Sequence, residues 1–294
     1  MTPATGFAIW LAEALLIAAW SAHRDGARIA LAIAVLLLPY PFLIDAAPWV
    51  RMMFAIGALW CCVRAADFVF EPAPARFGAR FVHLFAILDT RLVARGSVPV
   101  PGRWFLFAAL AFVLACAALL AIHAGDSHEP AARYAIRWFA GIVLIVAMFE
   151  MLTALARIVT ALAGLDAPAL SDTPHRARSI AEFWSSRWNL VVGKVLRDRI
   201  FTPLAHRGPV FAIWATFAVS AAFHAYLIGV ALEAPAALAS AAFFLVQPVL
   251  LGAERKLRIR HMPEPARRAW TIGILALFSP LFIEPVLRVF DSVF

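Results

Sequence analysis

His224 is the only one of the eight histidines that sits well inside an apolar run, within Ser220-Ala-Ala-Phe-His224. Imidazole exchanges a proton near neutral pH. An ionisable side chain in hydrocarbon is costly enough that it faces the bundle interior and marks a functional path. Counting ~15 residues at 1.5 Å rise from Pro209 places His224 roughly 20 Å along its helix, a depth that only a tunnel or cavity makes useful. The other histidines, His23, His83, His123, His128, His175, His206 and His261, fall in loops or at the edges of runs, where a solvated or lipid-facing role is expected. Glu13, Glu150, Glu254 and Glu284 also touch apolar runs, where each is open to a role as interhelical hydrogen-bond partner or catalyst, with the structural role the expectation for Glu13 and Glu284. A proton relay between His224 and Glu150 would instead describe a transporter or lipid-binding scaffold, although the inverted repeats and paired broken helices of secondary transporters are not evident.

The second chemistry-bearing stretch runs from Ser179 to Phe201. Ser179 and Glu182 have the spacing of a capping box, and one helix starting there would carry Trp184, Trp188, Val191 and Val195 on an apolar side. Glu182, Ser186 and Asn189 would line a polar stripe on another. Taken alone, such a segment is an interfacial helix with tryptophans at headgroup depth.

Long apolar elements must position these residues. The chain has 294 residues, 64% of them hydrophobic and 15% charged, with a mean hydropathy of +0.84, which excludes a water-soluble core. Runs of about 20 apolar residues are long enough to cross hydrocarbon as helices. They occur at Gly6 to Trp20, Arg28 to Ile44, Val50 to Arg64, Trp104 to Ile122, Ala135 to Leu162, Pro209 to Leu232, Ala236 to Gly252 and Ala269 to Val289. Strand alternation is absent, so an all-α polytopic membrane protein of about eight spans is expected, forming a single membrane-embedded domain over residues 1–294. The first run lacks a basic lead-in and reads as a span rather than a cleaved signal. The segment Phe77 to Val93 sets Phe77, Phe81, Leu84, Phe85, Leu88 and Leu92 beside Arg80, His83, Asp89 and Arg91. It predicts an amphipathic helix on the membrane face or packed under the bundle.

Alternate loops hold 22 of the 26 Lys and Arg residues, leaving Arg51, Arg133, Arg137 and Arg288 on the other side. By the positive-inside rule the basic loops are cytoplasmic and both termini extracytoplasmic, as in a multi-pass protein of a bacterial inner membrane. The net charge of +8 therefore speaks to topology, and no nucleic-acid signature accompanies it. Cys61, Cys62 and Cys116 lie inside apolar runs, where they read as small hydrophobes rather than a disulfide framework or metal site. Neither the His-Glu-x-x-His pair of zinc hydrolases nor a Gly-x-Ser-x-Gly elbow occurs.

Taken in order, Ile180-Ala-Glu-Phe-Trp-Ser-Ser-Arg-Trp-Asn189, Leu196-Arg-Asp-Arg-Ile-Phe-Thr-Pro203, Ala218-Val-Ser-Ala-Ala-Phe-His224, Phe243-Phe-Leu-Val-Gln247 and Glu254 resemble the wax-synthase branch of the membrane-bound O-acyltransferase (MBOAT) superfamily. The resemblance covers roughly residues 171–260. Glu182 stands where the family commonly has Asp, Ser185 and Ser186 replace a Gly-Arg pair, and Ala225 follows the histidine where Glu is frequent. It implies a helical bundle around a tunnel, with fatty acyl transfer from acyl-CoA, a co-substrate, to a lipophilic hydroxyl, and with no resident cofactor or metal. The best-guess acceptor is a long-chain alcohol, giving a wax ester, with a sterol, a diacylglycerol or a secondary metabolite as alternatives.

Carried over, the family's roles make His224 the base that takes the hydroxyl proton and Asn189 the second motif residue, which holds the donor or stabilises the oxyanion. Trp184, Trp188 and Ser220 belong to the same boxes and are expected to bind substrate, lining the acyl-CoA site or the tunnel. Arg187, Lys194, Arg197 and Arg199 would stand at the cytoplasmic mouth, where CoA phosphates dock. The acyl tail and acceptor would enter from the membrane lipid.

Overall fold

The computed structural model describes residues 1–91, 93–96, 102–166 and 168–293. It is built from α1 (Pro3–Trp20), α2 (Arg24–Leu37), α3 (Pro48–Phe70), α4 (Phe77–Phe85), α5 (Arg103–Gly125), α6 (Pro130–Leu162), the short motif helices α7 (Ile180–Glu182), α8 (Leu190–Leu196) and α9 (Thr202–Leu204), then α10 (Pro209–Ala231), α11 (Ala234–Lys256), α12 (Glu264–Phe278) and α13 (Pro280–Phe290). Two residue pairs, Ala94–Arg95 (β1) and Leu165–Asp166 (β2), form a minimal antiparallel ladder. Seven helices among the described residues are long and apolar enough to cross a membrane, or eight if the bent pair α12 and α13 makes one span.

The last span departs from the expected straight helix over Ala269 to Val289, because α12 and α13 meet at 52°. Pro280 has no N–H to donate to the carbonyl four residues back. That carbonyl, on Ala276, instead accepts from the Ser279 hydroxyl at 2.8 Å and from the Trp138 indole at 3.0 Å. Trp138 also donates to Ser279 Oγ at 2.9 Å. At 33 residues α6 is the longest element, about 50 Å at 1.5 Å rise, and it packs closely on α13. A Cβ on Gly141 would lie 2.4 Å from Ile283 Cγ2.

The chain divides into two compact units. The first comprises residues 1–90, 223–237 and 289–293; the second comprises 91–222 and 238–288. In the first, Ala14, Ile17, Ala18, Ala27, Ala30, Ala34, Cys61, Ala65 and Leu84 form the core, small residues that let helix backbones approach closely. In the second, Ala115, Ala118, Leu144, Ala147, Ile283 and Leu287 cluster.

The amphipathic segment after α3 is helical only over Phe77–Phe85, and Leu92 lies outside the described residues. It packs into the first unit rather than lying solvated on a surface. His83, expected to be solvated or lipid-facing, is 0% exposed. Its Nε2 lies 3.3 Å from Asp67 Oδ2 and its Nδ1 2.8 Å from Thr90 Oγ1. Asp67 also accepts from Arg64 at 3.0 Å, while Arg64 donates to the carbonyls of Ala86 and Ile87 where α4 has ended. Arg80 donates to the carbonyls of Ala18, Pro74 and Ala75. The expectation failed because loop position and charge say nothing about a partner on a neighbouring helix: Asp67 on α3 makes burial of Arg64 and His83 tolerable.

Removing one partner of a buried ion cluster strands the others. Asp67→Ala is therefore expected to destabilise the protein by about 3–5 kcal/mol, read as a clear fall in thermal midpoint in mild detergent, whereas the exposed ion pair of Asp25 with Arg28 can be removed by Asp25→Ala with little change.

Candidate functional site

The segment between Ser179 and Phe201 is not one helix. Ser179 caps α7, its Oγ accepting from the Glu182 N–H at 2.9 Å, as the capping-box spacing predicts. The reciprocal half differs, since the Glu182 carboxylate accepts from the Arg178 N–H at 3.0 Å, one residue before the cap. A π-helical turn over Phe183–Arg187 follows, closed by the Trp188 N–H on the Phe183 carbonyl. The helix then breaks, because Trp188 is extended and Asn189 adopts the left-handed conformation with φ 40°. Asn visits that region more readily than most residues. The expected polar stripe through Glu182, Ser186 and Asn189 is accordingly absent.

The broken backbone finds partners in Leu170–Asp172, where the Leu170 carbonyl accepts from Leu190 N–H at 2.8 Å and the Arg187 carbonyl from Asp172 N–H at 2.9 Å. Asn189 restarts the helix as the cap of α8, its Oδ1 accepting from the Val192 N–H at 3.3 Å. Its Nδ2 donates to no described residue.

Arg187 locks this turn. Its Nη2 and Nε donate to Glu182 Oε1 at 2.8 and 3.0 Å, and its Nη1 reaches Asp172 Oδ2 at 3.0 Å and Thr173 Oγ1 at 3.1 Å. Burial works to raise the Glu182 carboxyl, but hydrogen bonds from Arg187 and Arg178 outweigh it and hold the group below the usual carboxylate range. Trp188 stacks on Phe183 and Phe149, with ring centroids 5.7 and 4.7 Å apart. Trp184 donates from its indole to Gln247 Oε1 at 3.1 Å, and Gln247, 0% exposed, donates onward to the Phe243 carbonyl at 2.9 Å. The rings of Phe183, Phe217, Phe243 and Phe244 surround the indole at 5.0–6.2 Å.

Of the expected anion-docking residues, Lys194 pairs with Asp198, Arg197 donates to the Ser185 carbonyl at 2.6 Å, and Arg187 is committed as above. Glu254, at the end of α11, accepts from the Ile180 N–H with both oxygens at 3.1 Å. Arg255, Lys256 and Arg258, just beyond it, are exposed and pair with no carboxylate among the described residues.

His224 lies half-buried on α10, one turn beyond Ser220, which is 7% exposed. In the first unit two bonds hold this end of α10: Tyr226 Oη donates to the Leu38 carbonyl at 2.8 Å, and Arg51 Nη2 to the Ala231 carbonyl at 2.6 Å. Glu150 accepts from Ser171 Oγ at 2.7 Å, a contact within the second unit. Among the described residues, no group of three or more His, Cys, Asp or Glu side chains is arranged to hold a metal ion.

Sequence reasoning missed Asp172 and Thr173 as anchors of Arg187, since neither lies in a recognisable box. The box ending in Gln247 carries no local sign that this residue fixes Trp184, 63 residues earlier in the chain.

Residues 167–246 match the model of the membrane bound O-acyl transferase family. A probable long-chain-alcohol O-fatty-acyltransferase 2 of Arabidopsis thaliana is 30% identical over 145 residues, covering 45% of this chain and 42% of that protein. The Arabidopsis thaliana protein named acyl-CoA--sterol O-acyltransferase 1 is 33% identical over 82 residues, covering 25% and 24%. The matched part spans less than half the length of these curated relatives. Motifs, family match and relatives agree in likening the motif-bearing segment to wax-synthase-like proteins of the membrane bound O-acyl transferase family.

Gln247→Leu strands the Trp184 indole N–H and is expected to cost about 1–3 kcal/mol. Adding Trp184→Phe removes the stranded donor, and the double variant should melt above the sum of the two single losses. For Glu182, a carboxyl held low in the folded state adds stability above its unfolded range and loses it as pH falls through the folded value. Glu182→Gln should therefore lower the melting temperature at pH 7 and flatten its decline towards pH 3.

Proposed function

We propose that the chain is an acyl-CoA-dependent O-acyltransferase that esterifies a lipophilic hydroxyl, with a long-chain alcohol as acceptor and a wax ester as product. Asn189 is the observation that carries the reading. It stands at a helix break with its oxygen spent on the cap and its amide N–H groups left over, in the middle of the family-matching segment. An alcohol is a poor nucleophile until a positioned base takes its proton, and an imidazole such as that of His224 suits that task. The alcohol oxygen attacks the thioester carbonyl carbon as its proton passes to the imidazole. The carbonyl oxygen becomes an oxyanion, for which Asn189 Nδ2 is a fitting donor. Collapse of the intermediate breaks the C–S bond, and the CoA thiolate takes the proton back from the imidazolium.

The CoA phosphates call for cations. Arg255, Lys256 and Arg258 are available beside the start of the motif segment, and the exposed Lys194–Asp198 pair is weak enough to exchange. The loop charges support a cytoplasmic donor side, with both termini opposite. The relative named for sterol acylation supports a second acceptor class within the same chemistry.

Purified protein supplied with radiolabelled acyl-CoA and a series of alcohols and sterols should form ester, with the product profile naming the acceptor. Asn189→Asp keeps a capping oxygen and removes the amide donor, so it should fold normally and lose about 10²–10³ in kcat. His224→Ala should abolish turnover, and undiminished ester formation there would end its assignment as the base.

A further inference from the structure

The first unit holds a second polar cluster that acyl transfer does not use. Trp10 and Glu13 lie one turn apart on α1 and thus share a face. Glu13 is 1% exposed, and neither of its carboxyl oxygens has a hydrogen-bond partner; the same holds for the buried Trp10 indole nitrogen and the Tyr40 hydroxyl. Glu13 interacts electrostatically with Tyr40, Cys61, Cys62 and Tyr226, so α1, α3, α10 and the turn Tyr40–Leu43 converge on it. Of these groups the Tyr226 hydroxyl donates to Leu38, and the Trp10 indole has only the sulfur of Cys61, a weak acceptor, beside it. The surroundings are apolar: Ala14, Ile17, Ile44 and Ala58 are buried here. Gly57 makes room for the indole, since a Cβ there would lie 3.0 Å from Trp10 Nε1.

Polar groups buried without partners are rare and ask for an explanation. Here three side chains from separate sequence positions are left without an oxygen or nitrogen partner together. Their chemistry selects the ligand. Trp10 only donates, Tyr40 donates and accepts, and a protonated Glu13 does both. An ammonium has no lone pair for Trp10, and an anion would bury its charge in an apolar lining. A neutral hydroxyl offers one donor and two lone pairs, and an aliphatic tail suits the apolar lining.

We propose that Trp10, Glu13 and Tyr40 form a binding subsite for the hydroxyl head of a lipophilic alcohol. The subsite is independent of the acyl-transfer reading, because binding can be measured without turnover. The full-length protein in mild detergent is melted with 1-tetradecanol and, separately, with tetradecane, which has the same tail and no hydroxyl.

The wild type is expected to gain thermal stability with rising alcohol concentration and not with alkane. Glu13→Gln should keep the gain, Tyr40→Phe should reduce it and Glu13→Leu should lose it. Without ligand, Glu13→Leu should melt no lower than the wild type, because an apolar side chain replaces unsatisfied polar atoms. If Glu13→Leu does not fold, the Glu13→Gln and Tyr40→Phe pair decides. An equal alcohol response in wild type and variants, an equal response to alkane, or no response in the wild type overturns the subsite. Ester formation assayed on the same samples separates the two readings: an alcohol response lost in Glu13→Leu without wild-type turnover leaves the subsite standing and removes the proposed function.

Discussion

A backbone or side-chain polar group without a partner in hydrocarbon costs several kcal/mol, and that constraint organises this protein wherever its helices are interrupted. At the bend between α12 and α13, the carbonyl released by Pro280 is taken by Ser279 and Trp138. At the break after Arg187, the Leu170–Asp172 segment supplies the missing partners. At both places other protein groups complete the irregular backbone, and one of them presents a motif residue.

The same constraint explains how charge is handled. Arg64, Asp67 and His83 enter the first unit together, and Glu182, Arg187 and Asp172 form a comparable hub in the second. These clusters tie each short element to the stretch of chain just before it, so their value lies in fixing one arrangement of the short elements. In the motif segment that arrangement leaves Asn189 half-committed, with one end of its amide capping α8 and the other available. A residue inside a regular helix would have no such division of labour.

Aromatic packing does for the tryptophans what ion pairing does for Arg187. Trp184 is held by Gln247 and four phenylalanine rings, and Trp188 by two stacked partners. Amphipathic spacing alone would have put both at a lipid interface. Indole burial with a satisfied N–H is the alternative that tertiary contact makes available.

Sequence by itself determined the class of fold, because 20-residue apolar runs admit only helices in lipid. It also determined the capping of α7, since Ser179 and Glu182 act within one turn, and it singled out Asn189 and His224 through the ordered boxes around them. Tertiary structure alone decided the helix break at Asn189, the bend at Pro280, the burial of His83 and the partnership of Trp184 with Gln247. Each of these depends on a group tens of residues away or on a left-handed backbone state that local preference permits without requiring. Periodicity reports which faces are apolar, but which polar atoms meet across those faces follows only from the packed chain.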